Sequence, residues 1–369
     1  MKSQSILLAF DKFKGTMSAQ QVCKTVALTI NKLHPDWQIT QLPITDGGGG
    51  SLDILFSYGF TPIEVKTVTA LLEPKKATYA ISQDGERAFI EMASICGITE
   101  LNRLDPFGAS SIGLGIAALN AINRGAKEIT ISLGGSASTD GGLGFLIGLG
   151  AVALDANGIP VSPNLAGIRS IYSLSIEALK SNIMWTFLAD VTNPLVGEMG
   201  TAQVFGKQKG LEDKDVLVAD QLLNKWANLL SLISSQDVRH IPGTGAAGGI
   251  ATAGIALLDG VVISGSNWFA ELLGLRNLVL NCDTVITGEG HFDEQSFMGK
   301  APGHVIDLAE SFGKKVHVLA GNVDSQIMRA RNIKYVSLTE IASSSELAIS
   351  DPEKWLESAT IELTKILNF

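Results

Sequence analysis

The chain has 369 residues, 46% hydrophobic and 18% charged, so it can bury a large core and is not a disordered segment. Its formal net charge of -9 excludes a broad nucleic-acid surface of clustered lysine and arginine, but leaves room for a local anion site. Cys23, Cys96 and Cys282 are too scattered for a CxxC pair or a disulfide framework, which fits a reducing compartment.

The opening apolar run meets charge at once and has no small-residue cleavage site, so it does not read as a signal peptide. The uncharged runs 141–154 and 241–258 are too short or too dilute in apolar residues to span a bilayer and read as buried helices. The expectation is a cytoplasmic protein with no membrane partner and no nucleic-acid partner.

Residues 6–10 read as a strand, 11–15 as its carboxyl-end loop, and Ser18 with Gln21 as a capping box for a helix whose apolar face is Val22, Val26, Ile30 and Leu33. A second strand over 39–44 runs into Asp46 and the glycines 47–50, with a helix beginning near Leu52. From about Val65 the texture changes: 75–81 and 87–92 flank Asp84-Gly85, a hairpin signal. A glycine-studded helix over 111–124 and a strand over 129–133 come next. That strand opens onto the glycine- and serine-rich loop 134–142, with an uncharged helix starting at Leu143. The strand 185–188 ends near Asp190, and Val216, Leu223, Ala227 and Leu230 mark an amphipathic helix.

Simple βα alternation returns late in the chain. Residues 284–287 form a β-branched strand that ends in Gly288-Glu289-Gly290, with Glu289, Asp293 and Glu294 close together. Gly299, Lys300 and a first-turn Pro302 then start a helix. Strands over 316–320 and 334–338 and a helix over 352–367 complete the pattern. Both ends share this texture, so the middle reads as an insertion within an α/β domain.

Three glycine-rich loops, 46–51, 134–142 and 243–249, suit anion binding through backbone N–H groups; tight turns under close helix–sheet packing are the alternative. Residues 243–248 match GxGxxG, but Pro242 breaks the preceding segment and no acidic residue ends a second strand about twenty positions on, so the dinucleotide reading is poor. No GxxxxGK[ST] occurs. The strand-end aspartates Asp11, Asp46 and Asp190 suit magnesium binding or proton acceptance, with capping as the alternative. Lys12, Lys14, Lys209 and Lys300 suit phosphate or carboxylate binding, with a solvated side chain as the alternative. The five histidines lack zinc spacing, and Ser136 and Ser138 lack the context of a nucleophile elbow.

In order and in sequence these blocks resemble the bacterial type-I glycerate kinase family. Residues 11–15 resemble its DSFKG, 46–50 its ADGGEG, 134–142 its GGSATNDGG, 190–195 with 205–210 its DVTNPL and FGPQKGA, 243–249 its GAGAAGG, and 286–302 its ITGEGRxDxQSxxGKxP. Four positions depart from the pattern. Lys12 stands at a usual serine, Gly49 at a usual glutamate, His291 at a usual arginine, and Ile112 at a usual aromatic residue.

The resemblance implies an α/β protein of two α/β domains with a cleft between them. A discontinuous Rossmann-like domain covers 1–66 plus 282–369, and an inserted domain with glycine-rich phosphate-binding loops covers 67–281. It implies ATP-dependent, magnesium-assisted phosphorylation of D-glycerate at the 2-hydroxyl. Asp190, Asp293 and Lys14 are the expected catalytic residues. Lys12, Asp46, Gly47, Gly48, Lys209 and Lys300 are expected to bind substrate. Gly134, Gly135, Ser136, Ser138, Gly243, Gly245 and Gly248 are expected to bind nucleotide, and Asp46 with Glu289 to bind Mg2+. An NAD-linked oxidoreductase of a small hydroxy acid, or a non-catalytic binding member, are the alternatives; a homodimer is left open.

Overall fold

A computed structural model describes residues 4–367. The chain divides into two compact units: one runs up to Asp46 and resumes at Ser264, and the other is Gly47–Ile263. These borders differ from 66/67 and 281/282. Thr61–Val68 pairs antiparallel with Pro74–Ile81 along its whole length, so residues just after Asp46 go with the middle of the chain. Its half-exposed pattern, opened by Pro62, is that of an edge strand. On the far side, the helices Gly265–Leu272 and Leu275–Leu280 pack on the helix Ala301–Ser311, which ties them to the chain ends.

The unit made from the chain ends holds five parallel strands in the order Lys334–Ser337, Lys315–Ala320, Thr284–Gly288, Ser5–Phe10 and Gln38–Gln41. Ser5–Phe10 and Thr284–Gly288 are buried almost throughout because both sheet faces are covered. Ser18 and Gln21 form the reciprocal cap that starts the helix Ala19–Leu33. Val22, Val26 and Ile30 are buried on its inner face, whereas Leu33 in its last turn is exposed. The strand expected over 39–44 stops at Gln41. Leu42 and Ile44 still donate to Leu8 and Phe10, but Pro43 between them has no N–H to give.

The middle unit is built on six strands in the order Val261–Ile263, Met184–Leu188, Glu128–Ser132, Arg87–Glu91, Pro74–Ile81 and Thr61–Val68. The first four are parallel, and the last two add antiparallel hairpins, including the one at Asp84-Gly85. The helix from Leu143 is only Leu143–Gly148, shorter than its uncharged run suggests. The chain then forms Val152–Leu154, which pairs antiparallel with Ser173–Ser175. Val216, Leu223, Ala227 and Leu230 are buried on one face of the helix Asp213–Ser234, as their spacing predicts. Residues 238–241 form no strand.

In each unit the parallel strands deliver their carboxyl ends to one edge, where α/β sheets carry their ligands. Among the described residues no helix is long and apolar enough to cross a membrane. The three cysteines are free and buried, and burial pushes the Cys23 and Cys96 thiols up to about 12, so they are inert packing groups.

Candidate active site

At the sheet edge of the chain-end unit three strands deliver carboxylates. Asp11 follows Ser5–Phe10; its N–H donates to Gly288 O at 3.0 Å, which extends the parallel pairing by one residue. The side chain is 5% exposed, and Oδ1 accepts the Lys12 N–H at 2.6 Å. Burial, and next the Asp46 charge, push its carboxyl up to about 7; Lys12 opposes the rise and Glu289 adds to it.

Glu289 follows Thr284–Gly288. Gly288 admits no side chain, since a Cβ there would lie 1.8 Å from Leu319 O. Glu289 is buried, accepts Ser296 Oγ at 2.6 Å on Oε1, and accepts Lys300 Nζ at 3.3 Å on Oε2. Burial is the main cause that raises its carboxyl, with Ser296 and Lys300 opposing. Asp46, half-buried, leaves the Gln38–Gln41 strand through Pro43.

Asp11, Lys12, Asp46, Glu289 and Lys300 thus act on one another. Lys14 is exposed on the same 11–17 loop. Asp293 is used as a cap: Oδ1 accepts the Gln295 N–H at 2.9 Å, and its own N–H donates to Ser296 Oγ at 3.0 Å. His291, where the family pattern has arginine, places Nε2 3.5 Å from Asp293 Oδ2.

The middle unit carries different chemistry. Loop 134–142 follows Glu128–Ser132, with Gly134 and Gly135 exposed and 136–142 buried. Among the described residues the N–H groups of Gly134, Gly135 and Ser136 find no acceptor, and Ser138 Oγ and Thr139 Oγ1 have no hydrogen-bond partner. Lys209 is 3% exposed; its Nζ donates to Ser136 Oγ at 2.7 Å and to Ser138 O at 2.6 Å. Burial pulls its ammonium down to about 7, and Asp140 opposes the fall. Lys209, grouped with the substrate lysines in the expectation, belongs to the turn Lys207–Lys209 and packs against this loop through Ser136 and Ser138.

Asp140 fixes the loop's far end. Oδ2 accepts Ser111 N–H at 2.8 Å, Ser111 Oγ at 2.7 Å and Gly144 N–H at 3.2 Å, while Oδ1 accepts Gly142 N–H at 3.2 Å. Burial raises its carboxyl and those four donors counter the rise.

The 243–249 loop bonds more of its backbone within the fold. Thr244, Gly245, Ala246 and Gly249 donate their N–H groups to Ile241, Asn193, Gly243 and Ala246 carbonyls. Gly248, at φ +75, abuts loop 134–142: a Cβ there would meet Ser138 O at 2.0 Å, and its carbonyl accepts the Gly141 N–H at 2.8 Å. Gly245 likewise permits close approach: a Cβ there would meet Pro194 O at 2.1 Å. No strand precedes the loop, so the dinucleotide fingerprint lacks its context.

Asp190 lies two residues past Met184–Leu188 and is half-buried; Ala189 before it donates to Ile263 O at 3.0 Å. Gly48 lies beside Gly134, 3.7 Å from where a Cβ on Gly134 would sit, and Gly47 takes φ +89.

Reading from sequence missed Glu91 and Asp140. Glu91 ends the Arg87–Glu91 strand, is 7% exposed, and accepts the Ser51 N–H at 3.3 Å, which anchors the helix Ser51–Ser57 beside Gly48. Both partnerships span tens of residues, and no local spacing announces them. The available signal was a carboxylate inside an otherwise uncharged stretch.

Among the described residues no three His, Cys, Asp or Glu side chains form a metal-ligating group. Magnesium asks for less: one or two carboxylates, the remainder being water and phosphate oxygens. The Asp46 charge raises both the Asp11 and the Glu289 carboxyls at this sheet edge, a conflict that a divalent cation relieves, so these residues fit it.

The model of the glycerate kinase family matches residues 6–368. A protein of Escherichia coli (strain K12) named glycerate 2-kinase is 34% identical over 328 residues, 87% of this chain and 86% of that one. A glycerate kinase of Bacillus cereus is 34% identical over 324 residues, 86% of this chain and 85% of its own. A crystal structure described as "putative glycerate kinase 2 from Salmonella typhimurium LT2" superposes with a TM-score of 0.85 at 28% identity, covering 99% of both chains.

Proposed function

The chain belongs to the glycerate kinase family, and on that premise we propose that it transfers the γ-phosphoryl group of ATP to the 2-hydroxyl of D-glycerate, giving 2-phosphoglycerate. The 2-position is favoured because the Escherichia coli relative is named a glycerate 2-kinase. The observation that carries the reading is loop 134–142, with unpaired N–H groups at Gly134, Gly135 and Ser136 beside the Lys209 ammonium. Phosphoryl transfer asks a protein for placement and charge neutralisation more than for covalent chemistry. Such a loop supplies both to phosphate oxygens.

Asp46 and Glu289 would hold Mg2+, which when bound neutralises charge on the phosphates. Lys12, Lys14 and Lys300 lie on the loops around those carboxylates and offer cations to the glycerate carboxylate or to phosphate. Asp190, at a strand end and half-buried, takes the hydroxyl proton as attack begins. Asp293 serves by capping the turn that carries Ser296, which in turn orients Glu289.

The deciding experiment is an ADP-release assay across short hydroxy acids, with NMR of the product to locate the phosphate. ADP release dependent on D-glycerate, and phosphorus on the 2-oxygen, are expected. Release with no acid dependence would end the proposal, and a 3-phosphate would correct it.

A further inference from the structure

Lys209 is an unusual lysine for a protein interior. Its Nζ is almost fully enclosed, yet both of its hydrogen bonds go to neutral oxygens, Ser136 Oγ and Ser138 O. The nearby carboxylate, Asp140, already accepts from Ser111 N, Ser111 Oγ, Gly142 N and Gly144 N. Its charge is committed to the loop's own backbone, and among the described residues it is the one charged group that acts on Lys209. An ammonium offers three N–H donors, and two are used here. The lysine lies on the buried side of a loop whose outer residues, Gly134 and Gly135, are exposed with unpaired N–H groups. A cation in that position has only the shared Asp140 carboxylate as counter-charge until an anion settles on the loop.

We propose that Lys209 acquires its positive charge together with the ligand, so that binding of a phosphate anion on loop 134–142 draws a proton from solution into the protein. The proposal rests on the reading of this loop as the phosphate cradle and adds the step that neutralises the ligand there. The balance is simple: one proton moves from buffer to the Lys209 amine, no bond to the ligand changes, and the anion meets the ammonium that results. Burial that holds the free ammonium near neutrality, at about 7, is consistent with this order of events. In this scheme Lys209 acts by its own charge and is held in place by Ser136 Oγ and the Ser138 carbonyl.

Calorimetric titration of the enzyme with MgATP, in buffers of different ionisation heat, measures the protons taken up. Uptake is expected to rise from about half a proton per site near pH 7 to about one near pH 8.5. Lys209→Met is expected to abolish the uptake and weaken binding at least tenfold, about 1.4 kcal/mol. Ser136→Ala removes one acceptor that favours the charged amine and leaves the fold intact. It is expected to move the midpoint of the uptake to lower pH, and it decides the matter should the Met variant not fold. MgATP binding with no proton uptake, uptake that survives in Lys209→Met, or an unmoved midpoint in Ser136→Ala overturns the inference while the cradle stands. No MgATP binding at all brings down the cradle and the inference together.

Discussion

The two parallel-sheet edges of this molecule solve opposite electrostatic problems. The edge of the chain-end unit gathers Asp11, Asp46 and Glu289, where burial and the Asp46 charge raise the Asp11 and Glu289 carboxyls. The edge of the middle unit gathers backbone donors and a buried lysine, whose ammonium burial pulls down to about 7. One strand-loop-helix grammar produces both. The difference lies in the residues just past the strand: a carboxylate at once after Ser5–Phe10 and Thr284–Gly288, but glycine and serine two residues after Glu128–Ser132. An α/β edge fixes where chemistry happens, and the first few loop residues fix its sign.

The contrast can be broken at several points. The largest effect is expected at Asp190, the half-buried carboxylate proposed as the base at the edge of the middle unit. Asp190→Asn should lower kcat by about 10²–10⁴-fold with an unchanged circular dichroism spectrum, and wild-type turnover in the variant would remove this residue from the chemistry.

Next comes Asp140, whose negative charge serves architecture. In Asp140→Asn an amide nitrogen replaces one oxygen that the surrounding donors need. A loss of about 3 kcal/mol in urea unfolding is expected, and a loss near zero would mean the four hydrogen bonds carry no weight.

The acidic edge predicts a pH dependence of definite sign. The folded-state pKa of Asp11 is raised from 3.8 to about 7, so its contribution to stability is fully present below 3.8 and is lost as pH climbs through 7. Asp11→Asn lacks that loss. With EDTA present, the variant should gain in denaturant midpoint over the wild type at about pH 8 and not at about pH 4. Added Mg2+ should shrink the gain. An equal gain at both pH values would detach the effect from Asp11 ionisation.

The smallest effect concerns Gly49, where the family pattern has glutamate. An added Cβ at Gly49 meets nothing within 4 Å, so Gly49→Glu should change stability by no more than about 0.5 kcal/mol. Assayed with D-glycerate, it asks whether one further carboxylate beside Gly48 matters to turnover. A clear loss of stability would contradict the open space around Gly49.

Much of the fold was legible because its signals are local. The Ser18–Gln21 cap, the apolar runs of Ser5–Phe10 and Thr284–Gly288, and Pro302 in a first turn each depend on neighbours within a few residues. The Thr61–Val68 edge strand was not read, since half its residues face solvent and its partner gives it its identity. The extent of the helix at Leu143 misled because uncharged composition says buried without saying helical.

At the site, the glycine loops were visible but their roles were not separable. Whether an N–H is unpaired, as at Gly134, or bonded across the fold, as at Gly245, is decided by residues far along the chain. Lys209 looked like one loop lysine among four, and only its burial sets it apart.

The register Leu7↔Val285 also has a consequence for synthesis. Ser5–Phe10 leaves the ribosome early, yet its neighbour Thr284–Gly288 emerges only after the whole middle unit has been made. At about 5–20 residues per second that interval is roughly tens of seconds, during which the most apolar strand of the sheet is paired on one side only, with Gln38–Gln41. The inserted unit can mature first, while the N-terminal segment waits in a state that chaperones would recognise.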